Sequence, residues 1–241
     1  MKNSALFLTL ITFIIYFSGC KKNNDNDCIV GNGDLTQETR VVGNFSHITA
    51  NGAYNISFSQ TSISQVDLFG DSNILPIIST NVSNGILNIG TNDDACYSTQ
   101  NTIEITATAP QFEGITLEGA GKIEAHNITT DQLRFETNGA ATINSSFTAE
   151  FVSLYINGSG DAQLTGSAGN SGFYIGGAGS IQASTLIVDI CTITTEGSGD
   201  IYIHVNNEMT VVINGSGNVY YTGDPDINSQ INGTGQLIKM D

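Results

Sequence analysis

Over the second half of the chain, apolar residues fall at every second position with mostly polar residues between them, and pairs of glycines interrupt the pattern at regular intervals. A Gly-small-Gly element begins at Gly119, Gly139, Gly158, Gly177, Gly197, Gly215 and Gly233, at spacings of 20, 19, 19, 20, 18 and 18 residues. Its middle residue is Ala, Ser or Thr every time, and only Ala141 departs from glycine at the third place. Aligned on the first glycine, the position four residues later is Ile123, Ile143, Ala162, Ile181, Ile201, Val219 and Leu237. Four residues earlier stand Ile115, Phe135, Leu154, Phe173, Ile193, Val211 and Ser229. Apolar columns at even offsets are the mark of strands with one buried face. Each repeat therefore predicts a strand, a Gly-x-Gly turn, a second strand and a looser polar turn such as Asn206-Asn207-Glu208. Glycine is expected in the tight turn because it tolerates positive φ.

One such rung cannot bury its own apolar face. Rungs stacked ~4.8 Å apart bury a common core, which describes a parallel β-helix. Propeller blades need longer repeats, a β-sandwich would not hold columns in register over seven repeats, and a left-handed helix of hexapeptides would show a six-residue period. Residues 113–241 carry the regular repeats. Residues 34–112 are less regular: Ile48 to Ile56 echoes the repeat once, and Val66–Phe69, Ile86–Ile89 and Ile103–Ala107 read as further strands. This part is expected to supply opening coils and a cap over one naked edge of the solenoid.

The start of the chain follows another rule. Ala5–Phe17 is a 13-residue apolar run behind Lys2, too short to span a bilayer comfortably and of the length of a signal-peptide core. It ends in Phe17-Ser18-Gly19-Cys20, which is similar to a lipobox with Phe17 in the place of the usual aliphatic residue. Cleavage there removes residues 1–19 and leaves Cys20 as the lipid attachment site, followed by a polar tether over 20–33. The expectation is an exported lipoprotein of the cell envelope, at the outer membrane or cell surface, bound to the membrane through its N-terminal lipid.

The formal net charge is −16, and −17 once Lys2 is removed with the signal peptide. Without a basic patch, nucleic acid is excluded as a partner, and anionic polysaccharides are disfavoured. The abundance of Gly and the scarcity of Pro, 27 against three, agree with many short strands and tight turns.

The turn series, Arg40-Val41-Val42-Gly43-Asn44-Phe45, Ile48 with Gly52, Asn73-Ile74-Leu75-Pro76 and Asn84-Gly85-Ile86-Leu87-Asn88-Ile89 occur in an order that resembles the family called "Putative auto-transporter adhesin, head GIN domain". The likeness runs from about Gly31 to the C-terminus. It implies a single-stranded right-handed parallel β-helix, lipoprotein anchoring and an adhesive role, with no catalytic residues to carry over.

Polysaccharide-degrading enzymes share the β-helix, so catalytic chemistry is the competing reading. A hydrolase needs two facing carboxylates. Asp161 and Asp200 share a column but stand two rungs apart with Ser180 between them, and solvated turn aspartates describe them better. Among the cations of the repeats, Arg134 sits beside Glu136 on an outward position, as a solvated pair would. The Gly-Ser-Gly-Asp turns lack the nine-residue period of calcium-binding β-rolls. His47, His126 and His204 do not gather into a ligand set. The chain is therefore expected to be non-enzymatic, without cofactor or metal. A purely structural envelope protein is a third reading, and self-association is left open.

Cys191 falls in an apolar column with Leu133, Val152, Met209 and Ile227 and is expected to be a buried thiol. Cys28 and Cys96 lie in the irregular part, where export permits either a disulfide or two unpaired thiols. Tyr155 with Tyr174, and Tyr202 with Tyr220, occupy outward positions on adjacent rungs. They either form a platform for a glycan or surface-protein ligand or simply brace neighbouring strands.

Overall fold

A computed structural model describes residues 28–92 and 95–241. The expected signal peptide over 1–19, the expected lipid attachment site Cys20 and residues 21–27 of the expected tether lie outside the described residues. Sixteen strands follow one another: β1 Ile29–Val30, β2 Leu35–Val41, β3 His47–Gln60, β4 Gln65–Asp71, β5 Ile78–Ser83, β6 Ile86–Thr91, β7 Tyr97–Ser98 and β8 Ile103–Ala109. Then come β9 Gly114–Thr137, β10 Ala140–Ile156, β11 Ala162–Ile175, β12 Ile181–Thr195, β13 Ile201–Ile213, β14 Val219–Thr222, β15 Asp226–Ile231 and β16 Leu237–Lys239. Leu75–Ile77 forms one 3-10 turn, with Pro76 inside it.

From β9 on, every rung pairs in parallel with the next, and the register steps by the repeat length. Ile123 aligns with Ile143, Ile143 with Ala162, Ala162 with Ile181, Ile181 with Ile201 and Ile201 with Val219. The chain is a parallel β-solenoid of about six turns of about 19 residues. The apolar columns are its interior: Ile143, Leu154, Ile181, Ile193, Ile201 and Val211 have no exposed surface. Cys191 shares that interior, aligned with Ser171 on one side and Met209 on the other. The final rung has a neighbour on one side only, so Ile227 and Ile231 of β15 are 41% and 47% exposed although they continue buried columns.

The turn glycines behave differently from the positive-φ expectation. Of the glycines in the seven Gly-x-Gly elements, only Gly119 and Gly121 have positive φ, and there the chain runs through as extended strand β9. The later glycines are required by close stacking. A Cβ placed on Gly158, Gly177, Gly197 or Gly215 would overlap the carbonyl oxygen of the matching glycine one rung earlier. Those oxygens are in use: Ser198 N–H donates to Gly177 O at 2.9 Å and Ser216 N–H to Gly197 O at 2.9 Å. Ala141 is tolerated because the chain has already entered β10 there, with its methyl in the core.

The earlier residues close the other end. β3 is in register with β9, Ile48 opposite Ile115, Gly52 opposite Gly119 and Ile56 opposite Ile123. Its far edge divides between β6 and β8, both parallel to it. Beyond them the direction reverses: β4 pairs antiparallel with β8, β2 with β4, and β5 with β6. The β5–β6 hairpin turns at Asn84-Gly85, both with positive φ (52° and 76°), as a two-residue turn matched to strand twist requires. Where cap and solenoid meet, the Phe58 and Phe112 rings stack with centroids 4.0 Å apart, and Phe45 and Phe135 pack edge-on at either side. Cys28 and Cys96 are joined in a disulfide beside the β1–β7 pair. Nearby, the buried Asp71 carboxylate accepts hydrogen bonds from Gly33 N–H, the Thr99 hydroxyl and the Asn101 amide.

Candidate functional site

Outward positions on a solenoid face form ladders because the register repeats. Tyr155 of β10 aligns with Tyr174 of β11, and Tyr202 of β13 with Tyr220 of β14. All four are half-buried. The Tyr202 and Tyr220 rings stack at 4.6 Å and 6°, whereas Tyr155 and Tyr174 lie 6.1 Å apart and are tilted by 39°. One pair precedes the Gly-x-Gly corner and the other follows it, and no aromatic contact among the described residues joins the two pairs.

Polar groups accompany both pairs, which the sequence columns did not reveal. The Arg134 guanidinium lies 4.1 Å from the centre of the Tyr155 ring and donates to Glu136 Oε2 at 2.7 Å. Arg134 thus combines the expected ion pair with a cation–π contact. Tyr174 Oη donates to Glu196 Oε2 at 2.8 Å, a bond that holds the phenol pKa above its usual value. The Tyr202 hydroxyl is also pushed up, by partial burial first and then by the Asp200 carboxylate and Tyr220. Asn218 Nδ2 donates to Tyr220 Oη at 3.4 Å.

Next to Tyr155 and Tyr174 along the strands lies a surface groove of about 520 Å³. Three outward columns build this face. Gln132, Phe151 and Asn170 align on consecutive rungs; Arg134, Ser153 and Gly172 form the next column; Glu136, Tyr155 and Tyr174 form the third. The first two columns line the groove, and Phe151 is 46% exposed. Nothing lies within 4 Å of where a Cβ on Gly172 would stand, so the groove floor is open there. His47 and Glu113 close one end. His47 arrives because β3 pairs with β9, which places it opposite Gly114. Burial, and then the positive charge of Arg134, hold its pKa below the usual histidine range, so it is neutral at pH 7.

The other candidate residues are occupied locally. Asp161 Oδ1 accepts from Ser180 N and Oγ, both at 2.8 Å, and Asp200 Oδ1 accepts from Asn218 N at 2.7 Å. Each carboxylate fastens its turn to the next rung. His204 bonds to Thr222 and Asn206, and His126 lies near the Ser146 hydroxyl. No group of three or more His, Cys, Asp or Glu that could hold a metal occurs among the described residues.

Fold and faces together define a parallel β-solenoid that offers flat, laddered sides for contact. Residues 44–225 match the family described as "Putative auto-transporter adhesin, head GIN domain", and the chain belongs to this family. It is similar to the crystal structure of a putative adhesin from Bacteroides fragilis at 25% identity, covering 88% of this chain and all of that one, with a TM-score of 0.82. A putative adhesin from Parabacteroides merdae shares the fold at 20% identity and a TM-score of 0.69, over 89% of this chain and all of that one. A putative lipid binding protein from Parabacteroides distasonis shares it at 18% identity and a TM-score of 0.64, with the same coverage. No curated protein matches the chain significantly.

Proposed function

We propose that this protein is a lipid-anchored adhesion module of the cell surface, which binds without catalysing and touches its ligand through the outward tyrosine-bearing faces. The observation that carries the reading is the pairing of outward, half-buried aromatic ladders with polar partners on consecutive rungs. Aromatic rings offer large contact area at low conformational cost, and the Arg134 cation–π contact with Tyr155 and the bond that Tyr174 donates to Glu196 hold two of them in place. Membership in an adhesin family supports a surface location. Against a hydrolase stands the use of Asp161 and Asp200 as turn fasteners, each satisfied by the adjacent rung. The similarity of the Bacteroides fragilis adhesin supports the same assignment.

The anchor has a direct test. With Cys20 acylated, the wild-type protein partitions into the detergent phase of a two-phase extraction, and Cys20→Ser is expected to move it to the aqueous phase. Unchanged partition rejects the anchor. For the contact faces, Tyr174→Ala combined with Tyr202→Ala is expected to abolish surface attachment. The same variant should lose little stability, since exposed cross-strand pairs contribute about 0.2–1 kcal/mol each. Normal attachment together with a slightly lower melting temperature would reduce the ladders to braces.

A further inference from the structure

From the three outward columns beside Phe151, we infer that the groove there is a binding site for a neutral oligosaccharide. The inference deepens the surface-binding reading and rests on it for the role of Tyr155 and Tyr174. Along β10, Phe151, Ser153 and Tyr155 point outward in succession, and along β11 Asn170, Gly172 and Tyr174 do the same. Large, small, large is the profile of a trough. Its floor is Ser153 and Gly172, with Phe151 on one bank; on the other side, just beyond the lining, stand Tyr155 and Tyr174, with the Arg134 guanidinium against the Tyr155 ring. The banks are four residues apart along a strand, or ~13 Å between Cα positions, which leaves room for a hexose ring between standing aromatic side chains. The groove volume of about 520 Å³ falls in the range of small-ligand sites.

The chemistry of the lining selects the ligand. Gln132 and Asn170 flank Phe151 on the rungs to either side. Amides both donate and accept, as needed for hydroxyl groups that do both. Unlike Gln60, whose amide bonds Thr129 N–H and C=O, the side-chain amides of Gln111, Gln132 and Asn170 carry no bond to the described residues. A ring face at Phe151 suits the apolar face of a sugar. Phe151 is the one exposed large apolar side chain in the lining, where a hydrophobic helix needs a stripe of them. Arg134, its one cation, is already neutralised by Glu136, and the chain's charge of −16 opposes anionic sugars. The groove also continues. A depression of about 420 Å³ shares Glu113 and Gln132 with it, and one of about 330 Å³ shares Pro110 and Gln111 with that. A run of adjoining depressions fits an oligomer better than a monosaccharide.

The test uses the exported full chain, purified in a detergent without a sugar headgroup. It is titrated by calorimetry and NMR with neutral gluco-, manno- and N-acetylglucosamine oligomers, and in parallel with an anionic uronate oligomer and a cationic peptide. At least one neutral oligomer is expected to bind. Gly172→Leu, which fills open space, and Phe151→Ala, which removes a bank, should each weaken that binding about tenfold or more, a loss of about 1.4 kcal/mol. Both variants should keep a near wild-type melt, and Val41→Ala, at an exposed position of capping strand β2, should leave binding unchanged. No binding by any neutral oligomer overturns the inference, as does binding indifferent to Gly172→Leu and Phe151→Ala. Binding confined to the uronate or the peptide overturns it too. Loss of surface attachment in the Tyr174→Ala, Tyr202→Ala variant with no saccharide effect of Gly172→Leu rejects the trough and keeps the adhesion reading. Saccharide binding that depends on Gly172, in a protein that attaches to no surface, does the reverse.

Discussion

Gly197→Val is expected to yield no folded protein. Its Cβ would overlap the carbonyl oxygen of Gly177, which already accepts the Ser198 N–H at 2.9 Å. Neither rung can give way. Gly177 is held against the oxygen of Gly158 in the same manner, and Gly215 against that of Gly197. A clash with backbone on both sides spreads along the stack instead of being absorbed by a rotating side chain. The expected loss exceeds about 4–5 kcal/mol, the rare tail of single substitutions, and approaches the whole stability of a domain. Gly197→Ala should fail for the same reason, since the overlap begins at the Cβ. Gly172→Ala is the control: it meets open space and should change stability by no more than about 0.5 kcal/mol. The yield of folded protein and cooperative thermal unfolding measure all three. A Gly197→Val protein with a normal melt would contradict the stacked corner.

Cys191→Asp should be almost as severe. The side chain has no exposed surface and packs in its column between Ser171 and Met209. Burial pushes the thiol pKa up to about 12, which reports how poorly this place tolerates a negative charge. A carboxylate here would be desolvated without a cation beside it, at a cost of more than about 3–5 kcal/mol. Cys191→Ala only removes a small group and should cost about 1–2 kcal/mol. In the native protein at pH 8 the protonated, enclosed thiol should resist a water-soluble maleimide and react quickly once denaturant is added. Rapid native labelling would show that this column does not face inward.

The solenoid was legible because it repeats. Each apolar column recurs at a fixed offset from a glycine, so Ile143, Ile181 and Ile201 could be stacked on paper before they are seen stacked in space. The tyrosine ladders followed from the same register. The reason for the glycines was misread, since sequence reports that a side chain is refused but not whether φ or a neighbouring carbonyl refuses it. The groove was hidden for two reasons. Its outward column, Gln132, Phe151, Asn170 and then Ile190, mixes amides with apolar residues and leaves no periodic trace. Glu150 and Phe151 are consecutive and both exposed at a corner, so the alternation skips a beat where the one informative aromatic stands. An apolar residue at an odd offset was the available signal. His47 reaches the groove only through the long-range pairing of β3 with β9, which no local pattern announces.

The disulfide at the capped end also decides how the molecule carries mechanical force. Cys28 and Cys96 are 68 positions apart. A pull on the chain ahead of Cys28 passes across the sulfur bridge to Cys96, and everything from β1 to β6 is left out of the line of tension. The strain next passes through β7, paired to β1 over two residue pairs, and reaches β8, which is zipped on one side to β3 over seven residue pairs and on the other to β4 over five. Such a pull is therefore met by the middle of a sheet, and the antiparallel cap is not peeled away one strand at a time while the bridge is intact.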